Sequence, residues 1–247
     1  YASARLPGKP LLPLAGIPMI MHVVERASRA SLVSRVLVAT DDERIAEAVI
    51  QHGGDAWLTS PAARSGTDRV AELAEKLDDE LIINVQGDEP LVEPATIDAA
   101  IEPLTRDPSI DISTTSEPIW DLEDVLNPNI VKVVTDLDGF ALYFSRSAIP
   151  YIRIDAGCSL LDTLKTNPEL VAGYRKHSGL YAYRRKSLLQ FARMEPTSLE
   201  KLEALEQLRA LGNGFRIKVV QVEHRSVGVD TVQDYERVKR MIEENLS

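Results

Sequence analysis

Leu81-Ile82-Ile83-Asn84-Val85 is the stretch that most constrains this chain, a near-continuous apolar run ending in the acidic segment Gln86-Gly87-Asp88-Glu89-Pro90. A strand with one wet face alternates apolar and polar side chains. An unbroken apolar run instead reads as a parallel strand covered on both faces. Shorter strands are expected at 35–39 and 55–59, and helical spacing fills the intervals at 19–30, 43–52 and 67–77. Downstream, helices are expected at 94–105, 186–194, 198–211 and 232–245, and strands at 110–116, 177–184 and 215–222. The stretches 129–135 and 140–145 flank Asp136-Leu137-Asp138-Gly139, a good hairpin turn. Residues 1–17 read as a loop, and 147–173 as irregular with one short helix.

Strands alternating with helices predict an α/β fold, a mostly parallel mixed sheet with helices on both faces. The sequence shows no repeats, low-complexity tracts or linker, so one domain over 1–247 is expected. An antiparallel and irregular excursion at about 130–175 is expected to serve as a substrate lid or dimer arm. With 247 residues, 44% of them apolar, there is ample material for a core.

A formal net charge of −10 argues against a nucleic-acid polymer or an anionic membrane as partner, but not against a nucleotide held by a few local cations. Cys158 is the single cysteine, so no intrachain disulfide forms, which fits a reducing cytoplasm. No apolar run approaches the roughly 18 residues that cross a bilayer, and nothing reads as a secretory signal.

Ligands of such sheets sit beyond the carboxyl ends of the strands, which selects a few segments. In Arg5-Leu6-Pro7-Gly8-Lys9-Pro10-Leu11, two cations and a glycine lie in a proline-stiffened loop. Arg5 and Lys9 suit a triphosphate and its leaving pyrophosphate, although a solvated basic turn has the same composition. In Gln86–Pro90, a carboxylate at a strand's end suits Mg²⁺ completed by phosphate oxygens, and Gln86 suits a base or ribose edge. The same turn also reads as a cap of the next helix. In Gly228-Val229-Asp230-Thr231, Asp230 is either an N-cap or a second metal carboxylate. Ser65-Gly66-Thr67-Asp68-Arg69 offers hydroxyls either to a base or to a helix terminus. Arg146, His177, Tyr181, Glu206, Gln207 and Arg209 mix charge and hydrogen-bonding groups suited to an anionic sugar. Glu206 and Arg209, spaced i, i+3, also suit an ordinary surface helix pair.

These segments, with Asn127-Pro128-Asn129, Val131-Lys132 and Ala141-Leu142-Tyr143-Phe144-Ser145-Arg146, occur in an order that resembles the 3-deoxy-manno-octulosonate (Kdo) cytidylyltransferases, also called CMP-Kdo synthetases. The resemblance runs from Tyr1 to the last helix. It implies a Rossmann-like nucleotide-diphospho-sugar transferase fold, Mg²⁺, CTP and Kdo as substrates, and a homodimer. Carried over by position, it implies metal at Asp88 and Asp230, and triphosphate at Arg5 and Lys9. It places cytidine near Ser65, Thr67 and Gln86, and the sugar acid near Arg146, His177, Tyr181, Glu206 and Gln207. Activation of 8-amino-Kdo or another sugar acid, or a nucleotide-binding regulator that has lost catalysis, would fit the same resemblance. Members of the family begin with an apolar strand ending in an Ile-Pro-Ala-Arg-like segment just before the position of Tyr1. The missing residues are expected to belong to the full gene product.

Overall fold

A small hairpin stands where the sequence reads as loop. Strand β1 (Pro13–Leu14) pairs antiparallel with β2 (Ile17–Pro18), and the turn is closed by Ala15 and Gly16 at φ of 46° and 86°. The structure is a computed structural model describing residues 6–63, 65–154 and 157–244. Two compact units arise, one from Tyr1–Glu102 with Ser226–Ser247 and the other from Pro103–Arg225.

In the first unit α1 (Met19–Ser28) starts directly after Pro18 and buries Met19, Ile20, Val23 and Ala27 along one face. Strand β3 (Leu37–Thr40) runs parallel to β4 (Asp55–Leu58), with Leu37 opposite Asp55 and Thr40 opposite Leu58. The crossover between them is α2 (Glu43–Gln51), capped by Asp42, whose carboxylate accepts from the Arg44 backbone N–H at 3.0 Å. Ile20, Ile45 and Val49 form a common cluster there with Val38 and Ala56. Helix α3 (Gly66–Ala74) is capped by Ser65, strand β5 (Leu81–Asn84) follows, and α4 (Pro94–Arg106) comes after the acidic turn. In β5 the apolar residues Leu81, Ile82 and Ile83 are half-buried and Asn84 is buried, so the full burial expected of this run is not met. An apolar run sets what a strand is able to bury, while its neighbours decide how much of it is covered.

The second unit is built on one sheet. Its path runs β10 (Ile217–Gln221), β6 (Ile112–Pro118), β9 (Arg175–Arg184), β7 (Lys132–Thr135), β8 (Ala141–Ser145). Strands β10 and β6 are parallel, whereas β6–β9, β9–β7 and β7–β8 are antiparallel. The hairpin expected around Asp136–Gly139 is present as β7–β8, and the antiparallel part extends beyond it to β9. Between these strands lie α5 (Leu122–Leu126), which the sequence did not announce, and α6 (Leu160–Thr166), followed by a 3-10 turn at Pro168–Gly173. The "irregular" stretch is therefore half helical, packed around Ile119, Val125, Leu164 and Tyr174.

Helix α7 (Arg185–Ala192) matches expectation. The single helix expected over 198–211 is instead α8 (Ser198–Glu203) and α9 (Gln207–Gly212), broken at Ala204 with φ of 51°. The cause is tertiary. The Glu203 and Ala204 carbonyls accept from the Arg146 guanidinium at 2.7 and 3.2 Å, and the Glu203 carboxylate accepts from Ser145 and from the Arg146 backbone N–H. Carbonyls aimed sideways at a guanidinium are not available to continue a helical ladder. Helix α10 (Val232–Glu244) closes the chain in the first unit, where Val238 and Ile242 join Leu14, Met19, Leu91 and Val229.

Candidate active site

Gly8 adopts φ of 69°, a left-handed turn that suits glycine, and it sends the next side chain inward. Lys9 is only 9% exposed. Its ammonium lies 2.6 Å from Asp88 Oδ2 and 3.3 Å from Asp230 Oδ1. Three segments that are far apart in the chain thus meet on one cation.

Their meeting has a mechanical basis. Leu14, Leu91 and Val229 are buried in one cluster, and the Val229 backbone N–H donates to the Asp88 carbonyl at 2.9 Å. The turn is built tightly, since a Cβ on Gly87 would stand 3.1 Å from Ile20 Cδ1. Consecutive turns, Glu89 N–H to Gln86 carbonyl and Val92 N–H to Glu89 carbonyl, carry the chain forward. Helix α4 is reached only at Pro94, and Glu93 takes its first backbone bonds. The Gln86–Pro90 turn is therefore not a helix cap.

The cap of α10 falls to Thr231. The Asp234 backbone N–H donates to Thr231 Oγ1 at 3.2 Å, and Asp234 Oδ2 accepts from the Thr231 N–H and hydroxyl at 3.0 and 2.8 Å. Thr231 and Asp234 thus cap α10 reciprocally, and the Asp230 carboxylate is turned to Lys9 instead. The side chains of Asp88 and Asp230 are 34% and 54% exposed, so both reach solvent while Lys9 stays covered.

Among the described residues no group of three His, Cys, Asp or Glu side chains forms a protein-only metal cage. Two hard carboxylates converging on one positive charge fit a divalent cation whose other ligands are phosphate oxygens and water. The ammonium already present there is evidence that the place favours positive charge.

Ser65 lies at the N-terminus of α3, where its hydroxyl accepts from the Asp68 backbone N–H at 3.2 Å, so the capping alternative holds for this residue. Thr67 is buried in the first turn of α3. Gln86 is half-buried, two residues past the end of β5. Arg5 lies outside the described residues.

In the second unit, Arg146 follows β8. Its guanidinium donates to the carbonyls of Glu203, Ala204 and Pro128 at 2.7, 3.2 and 3.0 Å. Three of five N–H donors brace the fork, and two remain for a ligand. His177 and Tyr181 lie on β9 in a ladder of rings, with centroid separations of 5.0 Å for Phe144–His177, 5.1 Å for His177–Tyr181 and 5.8 Å for Tyr181–Tyr183. Burial holds the His177 imidazolium down, to a pKa of about 3, with a minor contribution from Lys176. Burial pushes the Tyr181 phenol well up, helped by Tyr183 and by the Glu206 charge. Glu206 occupies the break before α9, and Gln207 is buried in its first turn. Arg209 stands apart from this group and is not a surface partner of Glu206. It is 2% exposed, 3.3 Å from Glu200, bonded to the Met194 carbonyl and stacked on Phe191.

Three residues that support the site carried no role in the sequence, although Lys132 stood in one of the quoted segments. Glu203 fastens Ser145 and the Arg146 backbone. Lys132 is fully buried, with its ammonium donating to the Asn127, Ile130 and Arg146 carbonyls. Thr114 contacts His177. A signal existed for Thr114, because Ser113-Thr114-Thr115-Ser116 puts four hydroxyls in one expected strand, and buried hydroxyls need partners.

Residues 1–218 match the sequence family described as Cytidylyltransferase. The chain is 56% identical over 238 residues to the 3-deoxy-manno-octulosonate cytidylyltransferase of Geotalea uraniireducens (strain Rf4), covering 96% of this chain and 94% of the relative. It is 54% identical to the protein of the same name from Geobacter sulfurreducens, again over 96% and 94% of the two chains. A solved structure of CMP:2-keto-3-deoxy-manno-octonic acid synthetase complexed with CTP aligns with a TM-score of 0.89 at 39% identity, covering 99% of this chain and 95% of that one.

Proposed function

The chain belongs to the cytidylyltransferase family, and from that premise we propose that it activates 3-deoxy-manno-octulosonate with CTP, giving CMP-Kdo and pyrophosphate for lipopolysaccharide assembly. The observation that carries the reading is the Lys9 ammonium held between Asp88 and Asp230. The names of relatives more than half identical to this chain support the choice of substrates.

In the proposed reaction the anomeric hydroxyl oxygen of the sugar acid bonds to the α-phosphorus of CTP. The bond from that phosphorus to the bridging oxygen breaks, pyrophosphate departs with the electron pair, and the hydroxyl proton is released. Asp88 and Asp230 would hold Mg²⁺, which supplies charge neutralisation at the phosphates when bound. Lys9 offsets charge on the triphosphate and on the leaving pyrophosphate, and Arg5 is assigned the same task by the family resemblance. Thr67 and Gln86 are assigned to the cytidine, with Ser65 shaping the helix start that presents Thr67. Arg146, with two N–H donors to spare, is assigned to the sugar carboxylate, and His177, Tyr181, Glu206 and Gln207 to its hydroxyls.

The reading extends to a homodimer working in the cytoplasm, supported by the family resemblance and by the lone, exposed Cys158. No helix among the described residues is long and apolar enough to cross a membrane.

A pyrophosphate-release panel tests the reaction by crossing CTP, UTP, ATP and GTP with Kdo, 8-amino-Kdo and sialic acid in the presence of Mg²⁺. Release with CTP and Kdo above all other pairings is expected. Release only in pairings that lack CTP would overturn the reading, as would tight CTP binding without turnover.

A further inference from the structure

The hydrogen bonds around His177 define its tautomer. Thr114 Oγ1 lies 2.6 Å from the Leu180 carbonyl oxygen and 2.9 Å from His177 Nε2. A threonine hydroxyl has one hydrogen. A carbonyl only accepts, so at 2.6 Å that hydrogen must point to Leu180. Thr114 can then meet Nε2 only as an acceptor, and Nε2 must carry the proton.

Buried neighbours hold the arrangement. Thr114 is fully buried on β6, and the Phe144 ring meets the imidazole edge-on at an interplanar angle of 72°. A bulge separates the pair Ser116–His177 from the pair Thr114–Tyr181, and Gly179 turns through it at φ of 74°. The extra residues on β9 allow Thr114 to reach back to His177 while standing opposite Tyr181. The imidazole is 8% exposed and, because burial disfavours the cation, it has a single N–H at neutral pH. With that proton on Nε2, Nδ1 keeps its lone pair, and it has no hydrogen-bond partner among the described residues.

We propose that Thr114 is a positioning residue that locks His177 as the Nε2–H tautomer, so that Nδ1 accepts a hydrogen bond from a hydroxyl of the sugar acid. This rests on the assignment of His177 to the sugar made above. It adds a direction: the sugar group facing His177 donates. A hydroxyl or an ammonium satisfies Nδ1, whereas a carboxylate or a keto oxygen is rejected.

The test has a readout without substrate and a readout with it. Long-range ¹H–¹⁵N correlation spectra of histidine-labelled protein, assigned with His177→Gln, are expected to show a protonated Nε2 and an unprotonated Nδ1 for His177. In Thr114→Val that pattern is expected to become mixed. The KM for Kdo is expected to rise roughly tenfold, the worth of one hydrogen bond to a buried group, while the KM for CTP stays near the wild-type value. Thr114→Ser is expected to restore both readouts. A protonated Nδ1 in the wild-type protein overturns the proposal, and so does a Thr114→Val variant with an unchanged spectrum. A lost Nε2–H pattern with an unchanged KM for Kdo overturns the acceptor role of His177 toward the sugar. Failure of the nucleotidyl-transfer reading shows separately, as wild-type protein with the predicted tautomer and no turnover.

Discussion

Asp88 and Asp230 repel each other until a cation joins them, and in this structure Lys9 is that cation, at 2.6 and 3.3 Å. Residues that act on one charge act as a unit, and their effects do not add. Asp88→Asn and Asp230→Asn are each expected to lower turnover by about 100-fold or more, the scale of losing one preorganised electrostatic partner of a reacting phosphate. The double variant is expected to lose little beyond the worse single. Pyrophosphate-release rates measure this, with circular dichroism and melting curves confirming that the fold is kept. Near-additive losses would mean that the two carboxylates serve separate ends. Much of this site was legible at the residue scale. A cation, a carboxylate after the best strand and a second carboxylate before the last helix were each visible. Which residue caps α10 was not, because either Asp230 or Thr231 offers a fitting side chain. Only the observed bonds of Thr231 to Asp234 decide.

Among the elements, the break between α8 and α9 is the informative one. Ala204 sits at φ of 51°, a conformation costing a residue with a Cβ about 1–2 kcal/mol. Glycine removes that strain but adds about 0.5–1 kcal/mol of unfolded-chain entropy. Ala204→Gly is therefore expected to stabilise the protein by roughly 0.5–1 kcal/mol, read as a higher urea midpoint with an unchanged slope. A loss of stability would show that the Ala204 methyl packs in a way that outweighs its strained backbone. The helical pattern placed the start of α8, where in the structure Thr197 and Glu200 satisfy each other reciprocally. They could not locate its end. Leu202 to Leu211 keeps helical composition throughout, and the interruption comes from Arg146, which is 57 positions from Glu203. The same limit applied to β5. Its apolar run named a strand correctly and overstated its burial.

At the level of the whole molecule, buried titratable groups define the pH window of stability. His177 has a folded pKa of about 3, against about 6.5 in an unfolded chain. Between those values the unfolded state binds a proton that the native state refuses, so stability falls as pH drops below about 6.5. One such proton gives a slope of about 1.4 kcal/mol per pH unit. Urea unfolding at a series of pH values from 7 to 4 is expected to show this slope, and His177→Gln to lower it by about that amount. An unchanged slope would place the pH dependence elsewhere. Asp42 acts in the same direction at lower pH. The Arg44 side chain holds it down to about 2, so its contribution is present above the ordinary carboxylate pKa and fades in strong acid. Tyr174 and Tyr181 bound the other side. Burial raises both, so the stability they carry is complete below the ordinary tyrosine pKa and is lost as pH climbs through their folded values.

The order of apolar runs, caps and turns was settled by the sequence itself, because hydropathy periods, capping hydroxyls and glycine turns act between residues a few positions apart. That was enough for an α/β chain, for most of its helices and strands, and for a list of side chains fit to handle a nucleotide and an acid. The tertiary structure alone decided which of them meet. Lys9 is separated from Asp88 by 79 positions and from Asp230 by 221, and Thr114 from His177 by 63. No local preference encodes such pairings. They follow from which apolar faces pack together, here Leu14 with Leu91 and Val229 in the first unit, and from the register of β6 against β9 in the second.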